Sequence, residues 1–178
     1  NLESYKDAIT AYRQVLRINS DDFKAWNNLG YAYHRLGRYK NAIDAFLKAL
    51  RINKDDSKAW NNLGHAYHKL ERYKDSSEAY LQALRINPEH AAAWYNLGIA
   101  YRHLEQYNEA IKAFRHVLRI TPGDAKAWNN LGYAFHKLER YKDVITAYRQ
   151  ALRINPDDAS SWYNLGVAYR NLERFQDV

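Results

Sequence analysis

The chain has 178 residues, 47% hydrophobic and 26% charged, with a formal net charge of +7. That balance belongs to a folded protein rather than a disordered tail, and no apolar run approaches the roughly 20 residues that would span a bilayer. Cysteine is absent, which excludes disulfides and thiolate metal sites.

Methionine is absent as well, even at the first position, so the expectation is a segment of a longer protein. With no signal-peptide pattern and no spanning stretch, the expected location is cytoplasmic and no membrane contact is foreseen. Residues 1–18 are expected to form a lone helix. From there a tryptophan recurs every 34 residues, at Trp26, Trp60, Trp94, Trp128 and Trp162. Each is followed by Leu-Gly (Leu29-Gly30 through Leu165-Gly166) and then by an aromatic residue, Tyr33, Tyr67, Tyr101, Phe135 or Tyr169. A fixed period of this length signals stacked supersecondary units.

One unit, Ser57 to His90, serves for the rest. Trp60, Leu63, Tyr67 and Leu70 lie at helical spacing and predict an amphipathic first helix over 57–70. A second helix is expected over Tyr73 to Ile86, stopped by Asn87-Pro88 because proline cannot continue the backbone ladder. Asp22, Asp56, Asp124 and Asp158 precede first helices as N-caps, whereas His90 takes that place in the third unit and should cap less well. The recurring glycine inside each first helix costs about 1 kcal/mol of propensity. Close approach to the second helix would offset it, since Ala42, Ser76 and Ala110 are small at the matching point; Val144 predicts a wider contact. One hairpin cannot bury enough apolar surface alone, so neighbours must supply the core.

Charge is placed unevenly. The five stretches from three residues before each Trp to the Leu ten after it contain no Asp or Glu, yet carry eight cations, among them Lys24, Lys58, Lys69, Arg102, Lys126 and Lys137. The remaining 19 basic residues nearly balance 20 acidic ones, so the excess resides on the first helices.

The order Trp94, Leu97, Gly98, Tyr101, Ala110, Phe114, Pro122 resembles the tetratricopeptide repeat, and the resemblance covers the whole chain. It implies an all-α, right-handed superhelical solenoid of antiparallel helix pairs in a single array over 1–178. Four full repeats would occupy 23–56, 57–90, 91–124 and 125–158, with partial repeats at 1–22 and 159–178, the last containing a second helix that stops at Val178. Neither end carries a polar capping helix, so apolar end faces and end-to-end stacking of copies are expected. Residues 5–19 nearly repeat 141–155, which suggests duplication within a longer array.

In this family the first helices line a concave groove. Carried over, the groove residues are Lys24, Asn27, Asn28, Tyr31 and His34; then Lys58, Asn61, Asn62 and His65; then Tyr95, Asn96 and Arg102. Lys126, Asn129, Asn130 and Tyr133 follow, with Tyr163 and Asn164 last. A lining of amides, aromatics and cations without anions should attract an acidic extended or helical peptide. The asparagines two places after each Trp form a ladder that resembles the one in the superhelix of O-linked N-acetylglucosamine transferases; they could bond a peptide backbone or only their neighbours.

The carboxylate clamp of chaperone-binding relatives requires a Lys and Asn pair where this chain has Asn27 and Tyr31, or Asn61 and His65, which argues against that ligand. His34, His68 and His136 stand on successive or alternate units, too far apart for a metal site, and are expected to titrate near pH 6 to 7. Stacking of nucleic-acid bases on Tyr31, Tyr95, Tyr133 and Tyr163 is disfavoured, because most tyrosines in this family are packing residues. No nucleophile-base pair, phosphate loop or paired acids appear, so no catalysis and no cofactor are foreseen. The leading expectation is a peptide-binding scaffold; the alternative is a substrate-recruiting arm of a larger enzyme such as a glycosyltransferase.

Overall fold

A computed structural model describes residues 2–176, with side chains as far as Glu173. Ten α-helices and no strand appear among the described residues: α1 (Leu2–Ile18), α2 (Phe23–Arg35), α3 (Tyr39–Ile52), α4 (Ser57–Lys69), α5 (Tyr73–Ile86), α6 (Ala91–His103), α7 (Tyr107–Ile120), α8 (Ala125–Lys137), α9 (Tyr141–Ile154) and α10 (Ala159–Gln176). The helices from α1 to α5 pack successively on one another, as do those from α7 to α10, and the chain divides into two compact units between Ala93 and Trp94.

The helix starts follow the caps. Asp22, Asp56 and Asp124 accept from the amides of Ala25, Ala59 and Ala127 at 2.9, 2.7 and 2.9 Å. The His90 Nδ1 accepts from Ala93 at only 3.4 Å, the weaker cap expected of an imidazole. Trp26, Trp60, Trp128 and Trp162 each anchor the turn before their helix by donating the indole N–H to a carbonyl six residues back, as Trp60 does to Lys54 at 2.8 Å.

In the first unit Leu29, Ile43, Phe46, Leu50 and Leu63 are the centre of the core; in the second, Ile111, Phe114, Leu131, Phe135 and Tyr148 are. Gly30, Gly64, Gly98 and Gly132 receive aromatic rings. A Cβ at Gly30, Gly64 or Gly98 would lie 2.7, 2.6 or 2.7 Å from Phe46, Tyr80 or Phe114, whereas at Gly132 it would meet Tyr148 at 3.0 Å. The glycine therefore makes room chiefly for the aromatic four residues beyond the small position of the second helix. The small residue also takes part: the buried Ser76 hydroxyl donates to the Gly64 carbonyl at 2.8 Å. The contact at Gly132, beside Val144, is the wider one.

The turn after each first helix has a shared conformation but unequal local cost. Gly37 has φ 72°, and Glu71, Glu105 and Glu139 have φ 58°, 58° and 56°, a left-handed state that glycine tolerates and glutamate does not favour. The same Leu-Glu-Arg stands at 172–174, yet α10 runs unbroken from Ala159 to Gln176. This corrects the expected last repeat: no second helix begins there, and Val178 lies outside the described residues. In the inner repeats the left-handed glutamate stands two residues before a second helix.

Apolar side chains are exposed on the first and last helices, with Leu2, Val15 and Ile18 on α1 and Trp162, Tyr163 and Tyr169 on α10.

Candidate functional site

The first helices of the first unit are α2 and α4, which touch each other. Lys24, Asn28 and Tyr31 are exposed on α2, and Lys58 on α4; Asn27, His34, Asn61, Asn62 and His65 are half-buried. Neither helix contains an acidic residue. Tyr31 is held from behind: its hydroxyl accepts from Arg35 Nη1 at 2.9 Å, and its ring meets Tyr5 of α1 at 6.4 Å between centroids. The Arg35 guanidinium lies 5.1 Å from the Tyr5 ring centre. Neither Tyr5 nor Arg35 was in the expected lining.

The seam between α2 and α4 is made by His34 and His65, whose rings stand 4.7 Å apart at 32°, with Tyr39 edge-on to His34 at 5.2 Å. Desolvation, the facing His65 and the nearby Lys69 and Arg35 bring His34 down to about 4. Burial, then Lys69, lowers His65 too. The pair is neutral at physiological pH, which corrects the expectation of titration near pH 6 to 7 for His34. Its Nε2 is shut off from solvent without a hydrogen-bond partner, as are Asn27 Oδ1 and Ser57 Oγ.

The second unit solves the same seam differently. Arg102 of α6 donates to Asn130 Oδ1 of α8 at 2.7 Å, and the Asn130 amide donates to the Tyr95 hydroxyl at 3.1 Å and to the Lys126 carbonyl at 2.9 Å. Tyr95 packs edge-on to Phe114 at 5.9 Å, and burial raises its phenol above the usual range. Tyr133 is flanked by Arg102 and Lys137 at 5.2 and 5.7 Å. One helix on, Asn129 donates to Asp158 at 2.9 Å, and the buried Ser161 hydroxyl lies 2.6 Å from both Asn129 Oδ1 and Asp158 Oδ2. The Ser161 bond, with help from Asn129 and the backbone, holds the Asp158 carboxyl below its usual value.

Two of the expected lining residues bond other side chains. Asn130 spends its amide on α6 and on its own helix, so the asparagine row is not a free ladder at that rung. Asn129 faces a carboxylate rather than an open lining. Asn28 is exposed, and Asn96 is half-buried. Lys126 is exposed on α8; on α10, Tyr163 is exposed and Asn164 half-buried. The cross-helix partners Asp158 and Ser161 lie about 30 residues from Asn129, beyond the reach of local pattern. Among the described residues no cluster of three metal-ligating side chains occurs, and no helix is long and apolar enough to cross a membrane.

Among solved structures the chain is similar to MamA, with 24% identity over 88% of this chain and 91% of that one and a TM-score of 0.84. It is also similar to YrrB, described as a TPR protein with an unusual peptide-binding site, at 25% identity over 90% and 83% with a TM-score of 0.82. A MamA fragment from Desulfovibrio magneticus RS-1 aligns at 21% identity over 87% and 93%, with a TM-score of 0.75. No curated protein sequence matches the chain. The family described as the cilia and flagella-associated protein 70 C-terminal domain matches residues 2–177. With helix pairs at a 34-residue period and a match over nearly its whole length, the chain belongs to that tetratricopeptide-repeat family.

Proposed function

We infer that the chain is a protein-interaction module whose first-helix faces take an acidic, extended or helical peptide segment. The observation that carries the reading is the set Lys24, Lys58 and Lys126. Each is exposed at the second position of a first helix and forms no ion pair among the described residues. Asp22, Asp56 and Asp124 already satisfy the N-terminal amides of these helices, so the positive charge of the face rests on the lysines, with no carboxylate within α2, α4 or α8 themselves. Such a field speeds encounter with an anionic partner and penalises a cationic one. The likeness to YrrB, whose description names a peptide-binding site, supports a peptide as the ligand class.

The occupied amide of Asn130 weighs against a sequence-blind backbone ladder, and with it the enzyme-arm alternative. The reading assigns no chemistry to the chain. Association of copies through the exposed apolar faces of α1 and α10 belongs to the same proposal.

The test is fluorescence anisotropy with a labelled peptide rich in Glu and Asp. Affinity should fall as salt rises, and replacing Lys24, Lys58 and Lys126 together by Glu should weaken it by about tenfold or more. Equal affinity in the triple variant rejects the reading.

A further inference from the structure

A second surface lies on the other side of α2. At about 100° per residue, Trp26, Leu29 and Tyr33 stand opposite Lys24, Asn28 and Tyr31, and they form the floor of a cleft of about 490 Å³ between α1, α2 and α3. Leu16 of α1 and Ala45 of α3 complete that apolar floor. The rim is cationic: Arg13 and Arg17 come from α1 and Lys48 from α3, against one acid, Asp44.

The cations are positioned. Arg13 Nη2 donates to the Tyr33 hydroxyl at 2.8 Å, Arg17 Nη1 donates to Gln14 at 3.2 Å, and Lys48 Nζ stands 4.4 Å from the Trp26 ring centre. The volume is in the range of pockets that enclose a ligand. An apolar floor with a net positive rim suits a ligand with an apolar body beside a negative charge.

The same positions recur three repeats on, in the second unit, and provide an internal control. There Trp128, Leu131 and Phe135 make the floor, but the cleft measures only about 220 Å³. Phe135 has no hydroxyl to hold a guanidinium aside; Arg115 and Arg140 lie over its ring, 5.8 and 4.7 Å from the centre. Asp143 replaces Asn41 on the rim, and Gln150 stands where the first unit has Lys48. The repeat pattern thus accounts for the floor, while the volume and the charge are particular to the first unit.

We propose that the cleft between α1, α2 and α3 is a second peptide-docking site, which takes one bulky apolar side chain of a partner with an adjacent carboxylate on Arg13, Arg17 and Lys48. The site is independent of the first-helix face, so a partner that uses both holds the first unit from two sides.

The test uses two labelled peptides of equal negative charge, one with a central phenylalanine among acidic residues and one with serine in its place. Binding is read by anisotropy. The phenylalanine peptide should bind about tenfold or more tightly, the order expected for burying one aromatic side chain. Asn41→Trp, at an exposed position of α3, sets an indole over the cleft and should abolish the difference; circular dichroism checks that the variant folds. Arg17→Glu with Lys48→Glu should weaken the phenylalanine peptide more than Lys24→Glu with Lys58→Glu changes the ratio between the two peptides. Equal binding of the two peptides overturns the site, as does a ratio unaffected by Asn41→Trp, even where the lysines of the first-helix face still govern overall affinity. A change of sedimentation with Asn41→Trp, without peptide discrimination, would assign the cleft to a second copy of the chain and also overturn it.

Discussion

The two units contain the same repeat and close their first-helix seams by different means. In the second unit the seams are hydrogen-bonded: Arg102, Asn130 and Tyr95 join α6 to α8, and Asn129, Asp158 and Ser161 join α8 to α10. In the first unit two neutral imidazoles meet at a tilt of 32°, and Asn27 Oδ1, His34 Nε2 and Ser57 Oγ are buried without partners. A polar group that has lost water without gaining a partner costs roughly 1–3 kcal/mol. The invariant Trp, Leu and Gly positions therefore set where the helices lie, and the residues between them decide how firmly neighbouring repeats adhere.

The largest test of that contrast swaps equivalent asparagines for leucine. Asn129→Leu strips a partner from Asp158 and Ser161 and is expected to cost about 2 kcal/mol in urea unfolding, whereas Asn27→Leu removes an unsatisfied carbonyl and should be neutral or slightly stabilising. Equal effects at the two positions would remove the distinction between the seams.

Next in size is the acid response of the first unit. The folded protein holds His34 at about 4 against 6.5 when exposed, so the folded state binds fewer protons between those values. Stability from this group is fully present above pH 6.5 and is lost as pH falls through 6.5 towards 4. With allowance for the half of the ring that water screens, about 1–2 kcal/mol is at stake. His34→Gln should flatten the fall in melting temperature over that window; an unchanged slope would place the acid response elsewhere.

The smallest effect concerns the turns, which both units share. Glu71→Gly and Glu139→Gly relieve a left-handed glutamate, and each should gain roughly 0.5–1 kcal/mol, while Gly37→Ala should lose a similar amount. Thermal melts of the three variants check the order. Destabilisation by either Glu→Gly change would mean that the left-handed backbone is not the costly element at these turns.

Much of the fold was legible because its signals are local. The capping aspartates, the Asn-Pro stop at Asn87-Pro88 and the apolar stripe of Trp60, Leu63 and Tyr67 act within one or two helical turns, where short-range hydrogen bonding and periodicity decide the outcome. The candidate lining was legible as a set of helix positions and less so as a surface. Lys24, Lys58 and Lys126 are exposed as their positions imply, but Asn129 and Asn130 are drawn into bonds with residues about a repeat away. The cleft over Trp26 was foreshadowed only by the spacing of Arg13 and Leu16, which Arg115 and Leu118 repeat.

The amino-acid order alone determined the period of the array, the ends of most helices and the carboxylate-free composition of the first helices. Tertiary contacts decided the rest: which amides remain open and which histidines stay neutral. The partners that settle both, Asp158 and Ser161 for Asn129 and His65 for His34, lie about a repeat away along the chain and meet only once the helices have packed.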